Sequence, residues 1–313
     1  MNIVLLDGAS LPSPLARPVQ ASHWTAREHT RPDHVVEALA DADVAITNKV
    51  RLDRITLEQL PRLKLICVAA TGYDCVDLAA CRDQGVTVCN VPAYSAVSVA
   101  ESVIGSLFAL RRHLLAYRAA SARLWPQSSH FCVHGAPIQD LQGSTLGIVG
   151  RGDIGSRVAR LAKALDITVL FAEHRGAPQV RAGYVAFDEV LAKADALTLH
   201  CPLTLQTRYL IGTAEIARMK PGALLINTAR GALVDENAVL AALAFGQLGG
   251  AALDVLHVEP PRADHPLLHC EHPNLLITPH VAWASQSSVA RLKAVLLANI
   301  EAFAANKPIN VVT

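Results

Sequence analysis

Thr145–Glu173 reads TLGIVGRGDIGSRVARLAKALDITVLFAE, and this stretch decides the fold. Leu146–Val149 is an apolar run of the kind that forms a buried strand. It leads into Gly150-Arg151-Gly152-Asp153-Ile154-Gly155, a G-x-G-x-x-G. Ile154, Val158, Leu161 and Leu165 then recur at helical spacing. A second apolar run, Ile167–Ala172, ends in Glu173. The order is strand, glycine turn, helix, strand, acid. In such a unit Gly150 permits the tight turn, Gly152 lets the backbone approach a pyrophosphate, and Gly155 lets helix and strand pack closely. The helix N-terminus supplies N–H groups and positive dipole to that pyrophosphate. Glu173, about 20 residues past the glycines, stands where a carboxylate accepts hydrogen bonds from both ribose hydroxyls. A glycine turn alone also occurs in doubly wound sheets that bind no nucleotide. The register of strand, helix and acid is what favours a dinucleotide.

The rest of the composition agrees with a sheet covered by helices. Of 313 residues 51% are hydrophobic but only 4% aromatic, so the core is built from Ala, Val, Leu and Ile. The length suffices for two domains. The net charge is +1 and no block of like charge stands out, which removes the electrostatic case for nucleic acid or a membrane surface. The N-terminus MNIVLLD reads as a first strand and not as a signal peptide, and no apolar run is long enough to span a bilayer. Seven cysteines without a C-x-x-C pair argue against a disulfide framework or a metal site. They read as free thiols in a reducing cytoplasm.

Residues 1–100 alternate apolar runs (Ile3–Leu6, Val44–Thr47, Leu65–Ala70, Val86–Cys89) with helical patterns at Asp33–Ala40 and Leu57–Leu60. This is a parallel α/β pattern without a phosphate-binding turn. Ser98–Arg123 reads as one long helix, with Ser98 as cap and Glu101 completing a capping box. Leu124–Gln142 is irregular and reads as an arm. Beyond Glu173, strands are expected at Ala196–His200, Ala223–Asn227, Gly249–Val255 and Leu275–Thr278, with a helix at Asp235–Phe245. A closing helix, Ser285–Asn306, and an extended tail complete the chain.

Ligands of open α/β sheets bind beyond the C-terminal strand ends. Three residues just past those ends suit reduction of a 2-keto acid. Arg230 offers a planar fork to a carboxylate. His280 is a group of near-neutral pKa that can hand a proton to a forming alkoxide. Glu259 can orient that imidazole and favour its charged form. Singly, each is an ordinary surface or structural residue. Together, on one sheet edge beside a dinucleotide fingerprint, they form a candidate site.

The chain resembles the D-isomer-specific 2-hydroxyacid dehydrogenases nearly end to end. The segments that carry the resemblance are LGIVGRGDIG, HCPLTLQTRYLIG, MKPGALLINTARGALVDENAV, AALDVLHVEPP and TPHVAWAS. The resemblance implies two flavodoxin- or Rossmann-like doubly wound parallel sheets with an interdomain cleft. The substrate domain would be 1–101 plus 285–313, and the NAD-binding domain 102–284. It further implies Arg230 as carboxylate anchor, His280 as acid/base and Glu259 as its partner. Backbone N–H groups of Ala70, Thr71, Gly72 and Tyr73 would meet the substrate carboxylate. Implied cofactor contacts are Asp153, Ile154, Glu173, Pro202, Thr207, Thr228, Ala229, Asp254 and His280, with Val99 beside the nicotinamide. Relatives are mostly dimers, joined in part through the long helix and arm.

Two departures stand out. The family's usual G-V-G substrate loop is Ala70-Thr71-Gly72. The usual ribose Asp is Glu173, which still disfavours the 2′-phosphate of NADP, although His174 and Arg175 weaken that exclusion. DVLHVEPPRADHPLL and PHVAWAS look most like the glycerate dehydrogenase/hydroxypyruvate reductase branch. Trp283, three residues past His280, would wall the substrate pocket and offer its N–H to a small polar substituent. Cys67–Gly72 carries no cation for a phosphorylated substrate. Hydroxypyruvate or glyoxylate is therefore expected, with pyruvate-like acids or 3-phosphohydroxypyruvate as alternatives. A nucleotide-sensing corepressor on the same fold is disfavoured because Arg230, Glu259 and His280 are all present. A formate dehydrogenase is disfavoured by Glu259, where such relatives carry Gln.

Overall fold

A computed structural model describes residues 1–313. The chain divides into two compact units, Met1–Ser95 with Ala284–Thr313, and Ala96–Trp283. The first begins with β1 (Asn2–Leu5), β2 (His23–Ala26), α1 (Val35–Leu39), β3 (Val44–Thr47), α2 (Arg54–Leu57), β4 (Leu65–Val68), α3 (Leu78–Asp83) and β5 (Thr87–Cys89). The second contains α4 (Ala96–Arg111), α5 (Leu114–Arg123), β6 (Thr145–Val149), α6 (Asp153–Ala164), β7 (Thr168–Ala172), α7 (Phe187–Lys193), β8 (Ala196–Leu199), α8 (Thr213–Arg218), β9 (Ala223–Asn227), α9 (Glu236–Ala244), β10 (Leu248–Leu253) and β11 (Leu275–Ile277). α10 (Gln286–Ala304) then returns to the first unit. All strand pairs within both sheets are parallel. The sheets run β2-β1-β3-β4-β5 and β11-β10-β9-β8-β6-β7, so both are doubly wound α/β sheets that reverse direction after their first two strands.

Strand alternation explains the second unit's two-sided core. Leu146, Ile148, Leu224 and Ile226 face one side, with Val103 and Leu107 of α4 and Val158 and Ala162 of α6. Val149, Leu197, Leu199 and Leu225 face the other, with Val190, Ile216 and Val239. Both faces of a parallel sheet are covered, so its strands read as continuous apolar runs. In the first unit Leu292, Leu296 and Ile300 of α10 are buried. Asn299 donates to the Asn90 carbonyl at 2.9 Å, and the tail is tied down by Val312 N–H to the Val88 carbonyl at 2.9 Å.

Four sequence expectations change. The helix expected over Ser98–Arg123 is two helices, because His113 adopts left-handed backbone at φ 49° between α4 and α5. Ser98 is no cap: the helix already starts at Ala96, and the Ser98 hydroxyl donates to the Ala282 carbonyl at 2.6 Å. Because α4 is unbroken from Ala96 and packs on α6, the unit boundary lies ahead of it, at 95/96. The fourth is β2, an additional edge strand. Its sequence HWTA is mostly exposed and lacks the apolar run that marks the others.

The reversal point of the second sheet lies between β6 and β8. Gly150 follows β6 at φ 100°, and a Cβ there would stand 2.5 Å from the His200 carbonyl oxygen at the end of β8. The His200 imidazole is paired with the Thr198 hydroxyl at 3.0 Å, and burial holds its pKa down at about 3, against an ordinary 6.5. Between those values the unfolded chain binds a proton that the folded chain refuses, so stability falls as pH drops. Thermal unfolding from pH 7.5 to 4 is therefore expected to show a decline in Tm beginning near pH 6.5 that is shallower in His200→Leu. Parallel curves for the two proteins would exclude this origin.

Candidate active site

The glycine turn has the geometry a dinucleotide needs. A Cβ on Gly155 would lie 2.0 Å from the Gly150 carbonyl oxygen, so only glycine lets α6 start this close to β6. Above Gly152 there is open space, with no atom within 4 Å of a Cβ built there. α6 begins at Asp153 and Ile154, and its N-cap, Gly152, makes no side-chain cap. The first helical N–H groups therefore remain available to an anion. On β9's outgoing loop, the buried Thr228 hydroxyl has no hydrogen-bond partner. Such a group implies a missing acceptor or donor. These features fit NAD, with Gly150–Gly155 against its pyrophosphate and Thr228 as a polar contact. Of the other residues expected to touch it, Val99 is buried in the first turn of α4, and Ala229 follows Thr228. Pro202 and Thr207 sit on the β8 loop, where the Thr207 hydroxyl donates to the Pro202 carbonyl at 2.7 Å.

Glu173 does not stand as the sequence suggests. It is 3% exposed, and its two oxygens already accept four hydrogen bonds. Oε1 takes the His174 N–H at 2.8 Å and Arg181 Nη2 at 2.7 Å. Oε2 takes the Arg181 N–H at 3.0 Å and Nε at 2.7 Å. A carboxylate has about four acceptor positions, so none is left for ribose hydroxyls. The bidentate Arg181 fork holds the carboxyl pKa at about 2. In the structure Glu173, expected as a ribose acceptor, is the buried half of an ion pair with Arg181.

Arg230 lies on the loop after β9. Its Nη1 donates to the Ala229 carbonyl at 2.8 Å, and Asn227 braces the turn by donating to the Arg230 carbonyl at 2.9 Å. The next residue, Gly231, is pressed so tightly on the following loop that a Cβ would lie 1.9 Å from the Leu256 carbonyl carbon. The Arg230 loop and the Glu259 loop are therefore in backbone contact.

His280 and Glu259 meet directly. Nδ1 of His280 and Oε2 of Glu259 are 2.6 Å apart, with 27% and 32% of the two side chains exposed. Oε1 of Glu259 accepts the Leu256 N–H at 2.9 Å. Nδ1 is thus committed to the carboxylate, and Nε2 is the ring nitrogen that Glu259 does not engage. His280 itself adopts φ 54°, a left-handed conformation that costs a non-glycine residue about 1–3 kcal/mol. The loop is held there by Asp254, which is 4% exposed. Its carboxylate accepts the Thr278 hydroxyl at 2.5 Å and the N–H groups of Val281 and Ala282 at 2.9 Å each. Its backbone carbonyl accepts the His280 N–H at 2.8 Å. Hydrogen bonds to a charged group contribute about 1.5–3 kcal/mol each, enough to outweigh the strain. Asp254, expected from the resemblance as a cofactor contact, is in the structure the clamp of the His280 loop. Trp283 is tied to the same turn: its indole N–H donates to the His280 carbonyl at 2.9 Å. That N–H is spent on the protein and not on a substrate substituent.

In the first unit, the loop after β4 carries Ala70, Thr71, Gly72 and Tyr73. The Thr71 hydroxyl donates to the Val91 carbonyl at 2.9 Å, and Asn90 Nδ2 donates to the Thr71 carbonyl at 2.8 Å. The side chain and carbonyl of Thr71 are thus turned into the loop. No backbone N–H from Ala70 to Tyr73 is used in a hydrogen bond of the unit.

Sequence reasoning missed two supports. Arg181 gave no signal, being one arginine in an irregular stretch. Glu236, the first residue of α9, was not singled out. Its Oε1 accepts the His257 N–H at 2.7 Å and its Oε2 meets His265 Nε2 at 3.2 Å, which anchors both sides of the Glu259 loop. No cluster of His, Cys, Asp and Glu suited to a metal ion occurs, and no helix is long and apolar enough to cross a membrane.

Known proteins bear on this geometry. Residues 104–282 match the family model described as "D-isomer specific 2-hydroxyacid dehydrogenase, NAD binding domain". A putative 2-hydroxyacid dehydrogenase of Haemophilus influenzae is 48% identical over 97% of this chain and 98% of its own length. A glycerate dehydrogenase of Methylorubrum extorquens is 45% identical over 99% of this chain and 98% of its own. Among solved structures, an acyclic imino acid reductase in complex with NADPH and D-Arg superposes with a TM-score of 0.87 at 28% identity, covering 100% of both chains. The chain belongs to the D-isomer-specific 2-hydroxyacid dehydrogenases, NAD-linked oxidoreductases acting on a CH–OH group, in the branch of glycerate dehydrogenases and hydroxypyruvate reductases.

Proposed function

We propose that this enzyme reduces a small, unphosphorylated 2-keto acid, hydroxypyruvate or glyoxylate, to the D-2-hydroxy acid, with His280 as the proton donor. The observation that carries the reading is the 2.6 Å His280–Glu259 pair on a strained, clamped loop. When bound, NADH supplies the hydride that reaches the carbonyl carbon. Arg230 binds the substrate carboxylate with its planar fork and draws electron density from the neighbouring carbonyl. The proton leaves His280 Nε2 for the carbonyl oxygen, and the Glu259 carboxylate stabilises the imidazolium before the transfer and returns the ring to its orientation afterwards. In the first unit, the unused N–H groups of residues 70–73 are donors suited to a carboxylate. The glycerate dehydrogenase relative, similar over the full chain, supports the substrate class. Seven free thiols support a reducing cytoplasm as the working compartment.

The trio yields the first test. His280→Ala is expected to lower kcat by about 10²–10⁴-fold while NADH still binds. Arg230→Lys should raise KM for the keto acid by about tenfold or more, because a point charge does not replace the fork. Glu259→Gln should lower kcat without abolishing it. Full turnover in His280→Ala would refute the mechanism.

Substrate identity is tested by a panel of 2-keto acids assayed with NADH and NADPH. Hydroxypyruvate and glyoxylate should show the highest kcat/KM. If a phosphorylated or a long apolar keto acid leads, with these two near background, the assignment fails.

We further propose a homodimer formed by the second unit. Phe108, Leu114, Leu124, Trp125 and Phe131 expose apolar surface on α4, α5 and the arm, and Phe131 is 90% exposed. Such a patch on a soluble chain suits a protein partner. Light scattering should give twice the 33.3 kDa chain mass, and Phe131→Asp with Leu124→Asp should halve it. A single-chain mass for the wild type would refute the dimer.

A further inference from the structure

We propose that Glu236 is a positioning residue of this reaction, holding Glu259 against His280 through the backbone of His257. The inference rests on the His280–Glu259 pair being the proton-transferring centre. Glu259 lies midway along a loop, residues 256–265, that contains no helix or strand. Within the loop its Oε1 accepts the Leu256 N–H at 2.9 Å. That bond fixes Glu259 to its own loop, and the loop in turn needs a fixed point outside itself.

Glu236 supplies one at both ends. It is the first residue of α9, but the capping there is done by Asp235, whose side chain accepts the N–H groups of Asn237 and Ala238 at 3.0 and 3.3 Å. The Glu236 carboxylate turns to the loop instead. Oε1 takes the His257 N–H at 2.7 Å, and Oε2 meets Nε2 of His265 at 3.2 Å. Both side chains of the second contact are 18% exposed. Nδ1 of His265 is buried without a partner, which assigns the ring proton to Nε2, where the carboxylate receives it. The His257 ring adds a second hold. It stacks on Tyr209 with centroids 5.7 Å and planes 10° apart, and its Nδ1 lies 3.3 Å from the Tyr209 hydroxyl. Tyr209 adopts φ 50° and donates its N–H to the Ala232 carbonyl at 2.8 Å, two residues past Arg230. His257, two residues before Glu259, is therefore held by its backbone to α9 and by its ring to the β8 loop. Displacing a reacting group by an ångström costs on the order of 10²-fold in rate, so a 2.6 Å pair depends on whatever places its carboxylate.

The test is steady-state reduction of hydroxypyruvate by NADH, with NADH affinity measured by fluorescence titration. Glu236→Ala should lower kcat by about tenfold or more and leave the NADH Kd unchanged. KM for the keto acid should move much less than kcat, since Arg230 and not Glu259 binds the carboxylate. Glu236→Gln keeps an acceptor for the His257 N–H and should recover most of the lost turnover. In a Glu259→Gln background, Glu236→Ala should cost little more, because a positioning residue acts only through the group it places. A merely structural role would lower kcat alike in both backgrounds. Should Glu236→Ala fail to fold, His257→Ala carries the same comparison: a loss of kcat with Glu259 present and little loss in Glu259→Gln supports the proposal, and equal losses overturn it. Unchanged kcat in Glu236→Ala, an effect confined to KM, or no recovery in Glu236→Gln would also overturn it. Full turnover in His280→Ala would instead overturn the reading of the His280–Glu259 pair itself.

Discussion

The candidate site depends first on backbone meeting backbone without side chains between. Gly150 against His200, Gly155 against Gly150 and Gly231 against Leu256 leave Cβ gaps of 2.5, 2.0 and 1.9 Å, each too short for any other residue. The first two contacts bring α6 and the β8 loop up to the sheet's reversal point, where a parallel sheet opens a crevice. The third seats the Arg230 loop on the Glu259 loop. A methyl group at any of the three would have to displace main chain, which interiors packed at crystal-like density resist. The chemistry-bearing side chains inherit their positions from these contacts. The Arg230 and Glu259 loops are joined main chain to main chain, and the His280 loop is held by the Asp254 carboxylate.

The His280 turn shows how strain is held at such a site. Left-handed backbone at a histidine persists only where its surroundings over-determine it. Asp254 does so with three carboxylate bonds and its own carbonyl, and Trp283 adds one more from the far side of the turn. Glu259 is braced separately, by Leu256 and through Glu236. The two partners of the 2.6 Å pair are therefore held by different acids, the His280 loop by Asp254 and the Glu259 loop through Glu236.

The sequence makes the architecture legible because parallel strands buried on both faces are long apolar runs, and ten of the eleven strands are of that kind or close to it. β2 escapes because an exposed edge strand has no such run. The break at His113 escapes because neither Gly nor Pro marks it. The pairing of Glu259 with His280 was legible, since their types and their places after strands point to one another. The roles of Asp254, Trp283 and Glu173 were not, since they depend on which partner each polar group finds first. Family resemblance singled out these positions, but hydrogen-bond partners are set by loop geometry that spacing does not encode. Arg181, eight residues past Glu173 in an irregular stretch, is invisible until the loop is folded.

Three carboxylates along one sheet edge illustrate how partners divide labour among identical groups. Asp254 is enclosed by neutral donors, an alcohol and two amides, and becomes structural. Glu173 is enclosed by a guanidinium and two amides and becomes a buried anion fixed by Arg181. Glu259 is left a third exposed, and its partners include the Leu256 amide and the His280 imidazole. Only the last arrangement lets charge change during a reaction cycle. Full satisfaction by fixed donors immobilises a carboxylate, whereas pairing with a titratable ring leaves it responsive to a proton leaving the other side of that ring. That distinction, and not the presence of an acid as such, separates the member of the site suited to chemistry from the two that build it.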